Sequence, residues 1–156
     1  MMQQLENLAL SLVQGPFAYV WLFLVGAIAS TLIPLSPEVV AIAVWKGGMP
    51  VVASIAVLTA GNYAGNVLNY WVGRLGEHWV LEKYFRVKKA RLDRAQRWFD
   101  RFGPPILLFS WLPVVGDPLT FVPGIVRYSF FKFSAYVLIG KIIRYVGLYA
   151  LVRGFV

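Results

Sequence analysis

Polar residues are sparse along this chain, and they interrupt long apolar runs at a few places only. Val51 to Val72 and Phe133 to Val152 are each long enough to cross a bilayer, which takes about 20 helical residues. Phe17 to Leu35 is also apolar, while Val39 to Trp45 is apolar but too short to span. The breaks between these runs are of two kinds. Gly47-Gly48-Met49-Pro50 is a turn signal. The other kind puts proline inside apolar sequence: "TLIPLSPEVV" carries Pro34 and Pro37 with Glu38 directly after, and "SWLPVVGDPLTFVPG" carries Pro113, Pro118 and Pro123 around Asp117. An interior proline removes a helical hydrogen bond, and a carboxylate at the bilayer centre costs about 2.5 to 3.5 kcal/mol. Neither segment is therefore a plain anchor. The pattern leaves open whether residues 17–35 cross fully or enter and return.

Two stretches have helical rather than continuous apolar spacing. Leu5, Leu8, Ala9, Leu12 and Val13 share one face before Gly15-Pro16, which predicts a short interfacial helix over residues 1–15. It lacks the basic start of a signal peptide and is expected to be retained. Residues 76–102 carry Lys83, Arg86, Lys88, Lys89, Arg91, Arg94, Arg97 and Arg101 against four acids, with Leu92, Ala95, Phe99 and Phe102 on one stripe. The positive-inside rule makes this loop cytoplasmic, and its amphipathic part is expected on the membrane surface, where anionic headgroups are the partner.

Composition fixes the class. Of 156 residues 59% are hydrophobic and 14% charged, and mean hydropathy is +0.66. The expected fold is an all-α polytopic integral membrane protein with one domain over residues 1–156. Most of the +8 net charge is topology, and no nucleic-acid motif accompanies it. The absence of cysteine excludes disulfides and thiolate chemistry. His78, the only histidine, has no metal-ligand or nucleophile-elbow spacing around it, and no phosphate-binding Gly-Lys-Ser/Thr loop is present. No enzyme, metal or cofactor is expected. Trp21, Trp45, Trp71, Trp79 and Trp98 suit interfacial belts.

The two halves correspond at an offset of 79. Pro34 falls on Pro113, Glu38 on Asp117, Gly61 on Gly140, Tyr70 on Tyr149 and Arg74 on Arg153. Each half reads as an apolar approach, a proline-flanked carboxylate, a short apolar return, a turn and one full span. A unit that crosses once makes its successor upside down, so residues 16–75 and 103–156 are expected to form an inverted repeat around the 76–102 loop. Broken backbone at membrane depth is tolerated where it is buried in protein or lines a wet cavity. The proline segments are thus expected to be tips of two re-entrant hairpins that bring Glu38 and Asp117 together.

Glu38, Asp117, Lys141 and Arg144 are the ionisable residues expected inside the bilayer, with Arg127 at its edge. Intramembrane charges mark ion, proton or substrate paths, although two acids and two bases also suit a structural network. Arg144 has the planar fork that fits a phosphate, and Arg127 suits a headgroup or plain interfacial anchoring. In "GNYAGNVLNYWVGR", Asn62, Asn66, Asn69 and Gly73 share a face, with Gly61 and Gly65 beside it. The glycines suit close helix packing, and the asparagines suit either packing or a polar path.

"RFGPPILLFSWLPVVGDPLTFVPGIVRYS", then "GKIIRYV", with "SPEVV" and "GNYAGN" upstream, resembles the DedA family of membrane proteins, also called SNARE-associated or VTT-domain proteins, and within it the YqaA-like branch. The resemblance runs from about residue 20 to 150. It implies paired inverted units in the bacterial inner membrane and translocation of a phosphorylated lipid, undecaprenyl phosphate or a phospholipid, as a flippase or scramblase with protons as candidate coupling ion. It also implies that Glu38 and Asp117 are essential acids and Arg127 and Arg144 essential arginines. Longer members carry an arginine before the hairpin proline, whereas here Ser110-Trp111-Leu112 precedes Pro113. Coupled transport of a soluble solute and a non-transporting structural or partner-binding role stay open as alternatives, as does a homo-oligomer.

Overall fold

The computed structural model of the chain describes residues 17–30, 37–76, 88–112 and 116–154, together with Gly15 and Lys83, except for the side chain of Asp117. The expected helix over residues 1–15, both proline tips (Pro34 and Pro113), His78 and Trp79 lie outside the described residues. The elements are α1 (Ala18–Ala29), α2 (Pro37–Lys46), α3 (Val51–Arg74), α4 (Lys89–Phe102), a 3₁₀ segment (Pro104–Phe109), α5 (Gly116–Ile125) and α6 (Phe130–Gly154).

Among the described residues two helices are long and apolar enough to cross a bilayer. At 24 and 25 residues, α3 and α6 each rise about 36 Å, against a hydrocarbon thickness of about 30 Å. The others are too short: α1 with 12 residues rises about 18 Å, and α2 and α5 with 10 each about 15 Å. The last long helix starts at Phe130, ahead of the apolar run that begins at Phe133, so Lys132 is helical and the connection from α5 is confined to residues 126–129.

Small residues bring the short elements onto the long ones. Gly26 lies against the Leu58 carbonyl and the Asn62 amide, Gly61 against the Phe23 carbonyl, and Gly65 against Ala27 and Ser30. These contacts advance together along both helices, so α1 runs parallel to α3. The α1 helix stops at Ser30, whose hydroxyl donates to the Ala27 carbonyl at 2.9 Å. The chain returns through α2 to the turn that starts α3, and Trp45 Nε1 donates to Ser54 Oγ at 2.7 Å across that turn. The first pair of limbs therefore closes at the N-terminal end of α3. The second closes at the other end. Gly140 of α6 meets the Leu108 carbonyl, Gly73 meets the Phe121 carbonyl, and Gly124 meets Tyr70 and the Arg74 amide. There Arg74 Nη1 donates to the Tyr70 hydroxyl at 3.1 Å, and that hydroxyl donates to the Tyr128 carbonyl at 2.6 Å.

Both returning helices end in the same cap. After α2, the Met49 amide donates to the Val44 carbonyl and the Gly48 amide to the Trp45 carbonyl, with Gly48 at φ 85°. After α5, the Tyr128 amide donates to the Pro123 carbonyl and the Arg127 amide to the Gly124 carbonyl, with Arg127 at φ 53°. Each is a Schellman cap, whose left-handed residue is usually glycine.

The α4 helix is seated on protein along its apolar stripe. Leu92, Ala95 and Phe99 are buried in a cluster with Leu107, Leu119, Phe121 and Val122, so the apolar stripe packs on α5 and the 3₁₀ segment rather than facing lipid. Phe102 leaves the stripe and is 54% exposed. Periodicity shows that a face is apolar, but protein and lipid interiors satisfy that face equally.

Candidate functional site

Proline at the first position of α2 suits a helix start, and Glu38 next to it stands where the helix dipole favours an anion. The Glu38 carboxylate pairs with the Arg144 guanidinium of α6. One face further along, Trp45 and Tyr149 meet edge to face with ring centroids 5.4 Å apart, so α2 and α6 run side by side. Arg144 lies 14 residues into α6, about 21 Å from its start, and Asn62 lies 11 residues into α3, about 16 Å from its start. The charge pair thus sits near the middle of a membrane-length helix. Lys141, one turn before Arg144, is 1% exposed.

Around the pair the packing is polar on one side and dry on the other. Ala41, Val44, Leu58 and the ring of Tyr145 form the dry side. On the other, Asn62 stands beside the Tyr145 hydroxyl. Thr59, Asn62, Asn66, Asn69 and Gly73 occupy one buried face of α3. Asn69 ties three elements together, since its Nδ2 donates to the Ser30 carbonyl at 2.9 Å and to Thr120 Oγ1 at 3.0 Å.

The expected site residues thus divide into groups. Arg144, Lys141, Asn62 and Asn66 fall at mid-length of the long helices, and Glu38, in the first turn of α2, meets Arg144 there. Gly61 and Gly140 pack backbone to backbone, as their spacing suggests. Asp117 is in the first turn of α5, with its side chain outside the described residues.

Arg127 is not part of the central group. It is exposed in the cap at the far end of α5, near the start of α6, about 20 Å along α6 from Arg144. Partial burial of the adjacent Tyr128 phenol, reinforced by Tyr136, holds its pKa above the usual tyrosine value, so it stays neutral and packs on Phe99 at 5.9 Å.

A non-glycine residue at positive φ carries a conformational cost of about 1 to 2 kcal/mol. Arg127→Gly is therefore expected to keep or raise the thermal stability, by about 1 kcal/mol, in a detergent melt. A fall in stability would show that the guanidinium itself holds the cap.

Tyr145 and Thr59 belong to the central region although sequence reasoning did not single them out. Thr59 extends the 62-66-69-73 spacing by one step, a signal the sequence did carry. Tyr145 had none beyond its place after Arg144.

Membrane-length helices, short limbs closing at opposite ends and an ion pair at mid-length define a helical membrane protein with a polar centre rather than a simple anchor. The chain belongs to the VTT-domain family, known also as DedA: the VTT domain matches residues 7–153. It is similar to the inner membrane protein YqaA of Escherichia coli, with 34% identity over 133 residues, 83% of this chain and 87% of that protein. An uncharacterised protein of Haemophilus influenzae is 35% identical over 136 residues, 82% of this chain and 83% of its own. Undecaprenyl phosphate transporter A of Bacillus subtilis is 28% identical over 92 residues, 56% of this chain and 46% of its own. No solved structure matches the chain.

Proposed function

We propose that this protein moves a phosphorylated lipid across the bacterial inner membrane, with Glu38 and Arg144 as the exchange site. The observation that carries the proposal is their ion pair at mid-length of α6. A guanidinium held by one carboxylate can trade that partner for a phosphate, which offers the same bidentate geometry and more charge. Lys141 adds a second cation one turn away, and lipid tails stay in the bilayer while the headgroup passes. Arg127 receives headgroups at the cytoplasmic end, beside the basic face of α4. Asp117 acts with Glu38 by changing protonation or partner as access alternates, and protons are the coupling ion.

Three features support this reading. The limb pairs close at opposite ends of α3, which suits two re-entrant hairpins entering from opposite faces. Gly48 and Arg127, equivalent at the 79-residue offset, occupy the left-handed position of matching caps, as an inverted repeat requires. The name of the Bacillus subtilis relative points to the same class of substrate.

Purified protein in proteoliposomes should move a fluorescent phospholipid or a polyprenyl phosphate between leaflets faster than empty liposomes, with a rate that responds to a pH gradient. If neither lipid moves, with or without the gradient, the proposal fails.

A further inference from the structure

The buried face of α3 carries more polar atoms than the protein satisfies. Among the described residues Thr59 Oγ1, both amide atoms of Asn66 and Asn69 Oδ1 reach no hydrogen-bond partner, and Asn62 Oδ1 and the Tyr145 hydroxyl, although neighbours, do not meet in hydrogen-bond geometry. Their residues are 0 to 6% exposed, so bulk solvent does not serve them from outside. Buried polar atoms in native proteins are nearly all partnered, by protein or by internal water. Several unpartnered ones in register along one helix face mark a place for a polar occupant.

The atom types select that occupant. Asn62 and Asn69 present acceptor oxygens, Asn66 presents both an oxygen and an N–H pair, and Thr59 and Tyr145 present hydroxyls that donate and accept. A cation would satisfy only the oxygens and an anion only the donors, but water satisfies both. Spacing agrees. Residues three and four apart on a helix are about 5 to 6 Å apart, which is the reach of one water making two hydrogen bonds of about 2.8 Å each.

We infer that a file of internal water molecules runs along α3 from Thr59 to Asn69, past the Tyr145 hydroxyl. The ten-residue step makes it about 15 Å long. At one end Asn69 closes it, since its Nδ2 is held by Ser30 and Thr120. At mid-length it passes Tyr145, whose chain neighbour Arg144 holds Glu38. The file therefore runs along the α6 face that adjoins Arg144, about 100° round the helix from the ion pair. This holds whatever solute the protein carries.

The native chain allows a direct test, because it has only four asparagines and three of them are on this face. Asparagine and glutamine side chains are labelled with ¹⁵N, the protein is placed in deuterated lipid bilayers, and magnetisation transfer from water to the amides is followed by solid-state NMR. Gln96, whose amide bonds Asp100 at the surface, is the reference. Early transfer to Asn62, Asn66 and Asn69 at a rate comparable to Gln96 is the expected result, and in Asn66→Leu the transfer to Asn62 and Asn69 should fall. If the three stay dark in the native protein while Gln96 responds, the face is dry and the inference is wrong. Movement of the asparagine signals when sodium is replaced by a bulky organic cation would equally overturn it, by identifying a bound ion in place of water.

Discussion

Arg144→Gln is expected to stop lipid movement and to lower stability by about 3 to 5 kcal/mol, whereas Glu38→Gln combined with Arg144→Gln recovers most of the stability and none of the movement. The reason lies in what each change leaves behind. Arg144 and Glu38 side chains are 15% and 33% exposed, and they face each other between two apolar helices. Removing the guanidinium alone strands a carboxylate in a medium that solvates it poorly, and that stranded charge is the main cost. Removing both charges leaves two amides able to bond one another. The stability loss of the double variant should thus be well below the sum of the singles, a coupling that a thermodynamic cycle measures directly. The same variants separate structure from transport. A folded double variant that still moves lipid at the native rate would make the pair a strut and remove the basis for the proposed exchange site.

Gly61→Ala and Gly124→Ala come next in size, each with an expected loss of about 3 kcal/mol, while Gly147→Ala should gain about 1 kcal/mol. Alanine favours a helix over glycine by about 1 kcal/mol, so a mid-helix glycine needs a reason to persist. At Gly61 a methyl would run into the Phe23 carbonyl, and at Gly124 into the Tyr70 carbonyl, both rigid backbone. Gly147 has open space where its methyl would go. Melting curves of the detergent-solubilised protein rank the three directly. If Gly61→Ala melts like the native chain, α1 is not seated on α3 in solution as described here.

Much of this arrangement could be read from residue order. Apolar runs of sufficient length gave α3 and α6, and proline within apolar sequence marked where α1 and α5 border on breaks. Glu38 and Arg144 stood out because charge in such runs is expensive, and their union follows from that cost. The 62-66-69-73 spacing identified a buried face without saying whether it was packed or wet. Other features lay beyond a linear reading. Arg127 at the edge and Arg144 in the interior could be told apart, but their separation of about 20 Å needed the start of α6, because distance along a helix converts to depth. The seat of Leu92, Ala95 and Phe99 was hidden for a different reason, since an apolar stripe does not name its partner. The left-handed backbone of Arg127 was equally silent, because an arginine gives none of the sign of positive φ that a glycine gives.

With its apolar residues committed to α5, α4 keeps little that could sink into acyl chains. Its outward side offers Lys88, Lys89, Arg91, Arg94, Arg97 and Arg101 against Asp93 and Asp100, all exposed. Whatever hold this helix has on headgroups is then Coulombic and tuned by ionic strength. Its reach contracts from about 30 Å in 10 mM salt to about 8 Å under physiological conditions. Under the proposed function, such a helix would gather anionic lipid from nearby without gripping it, leaving the headgroup free to move on.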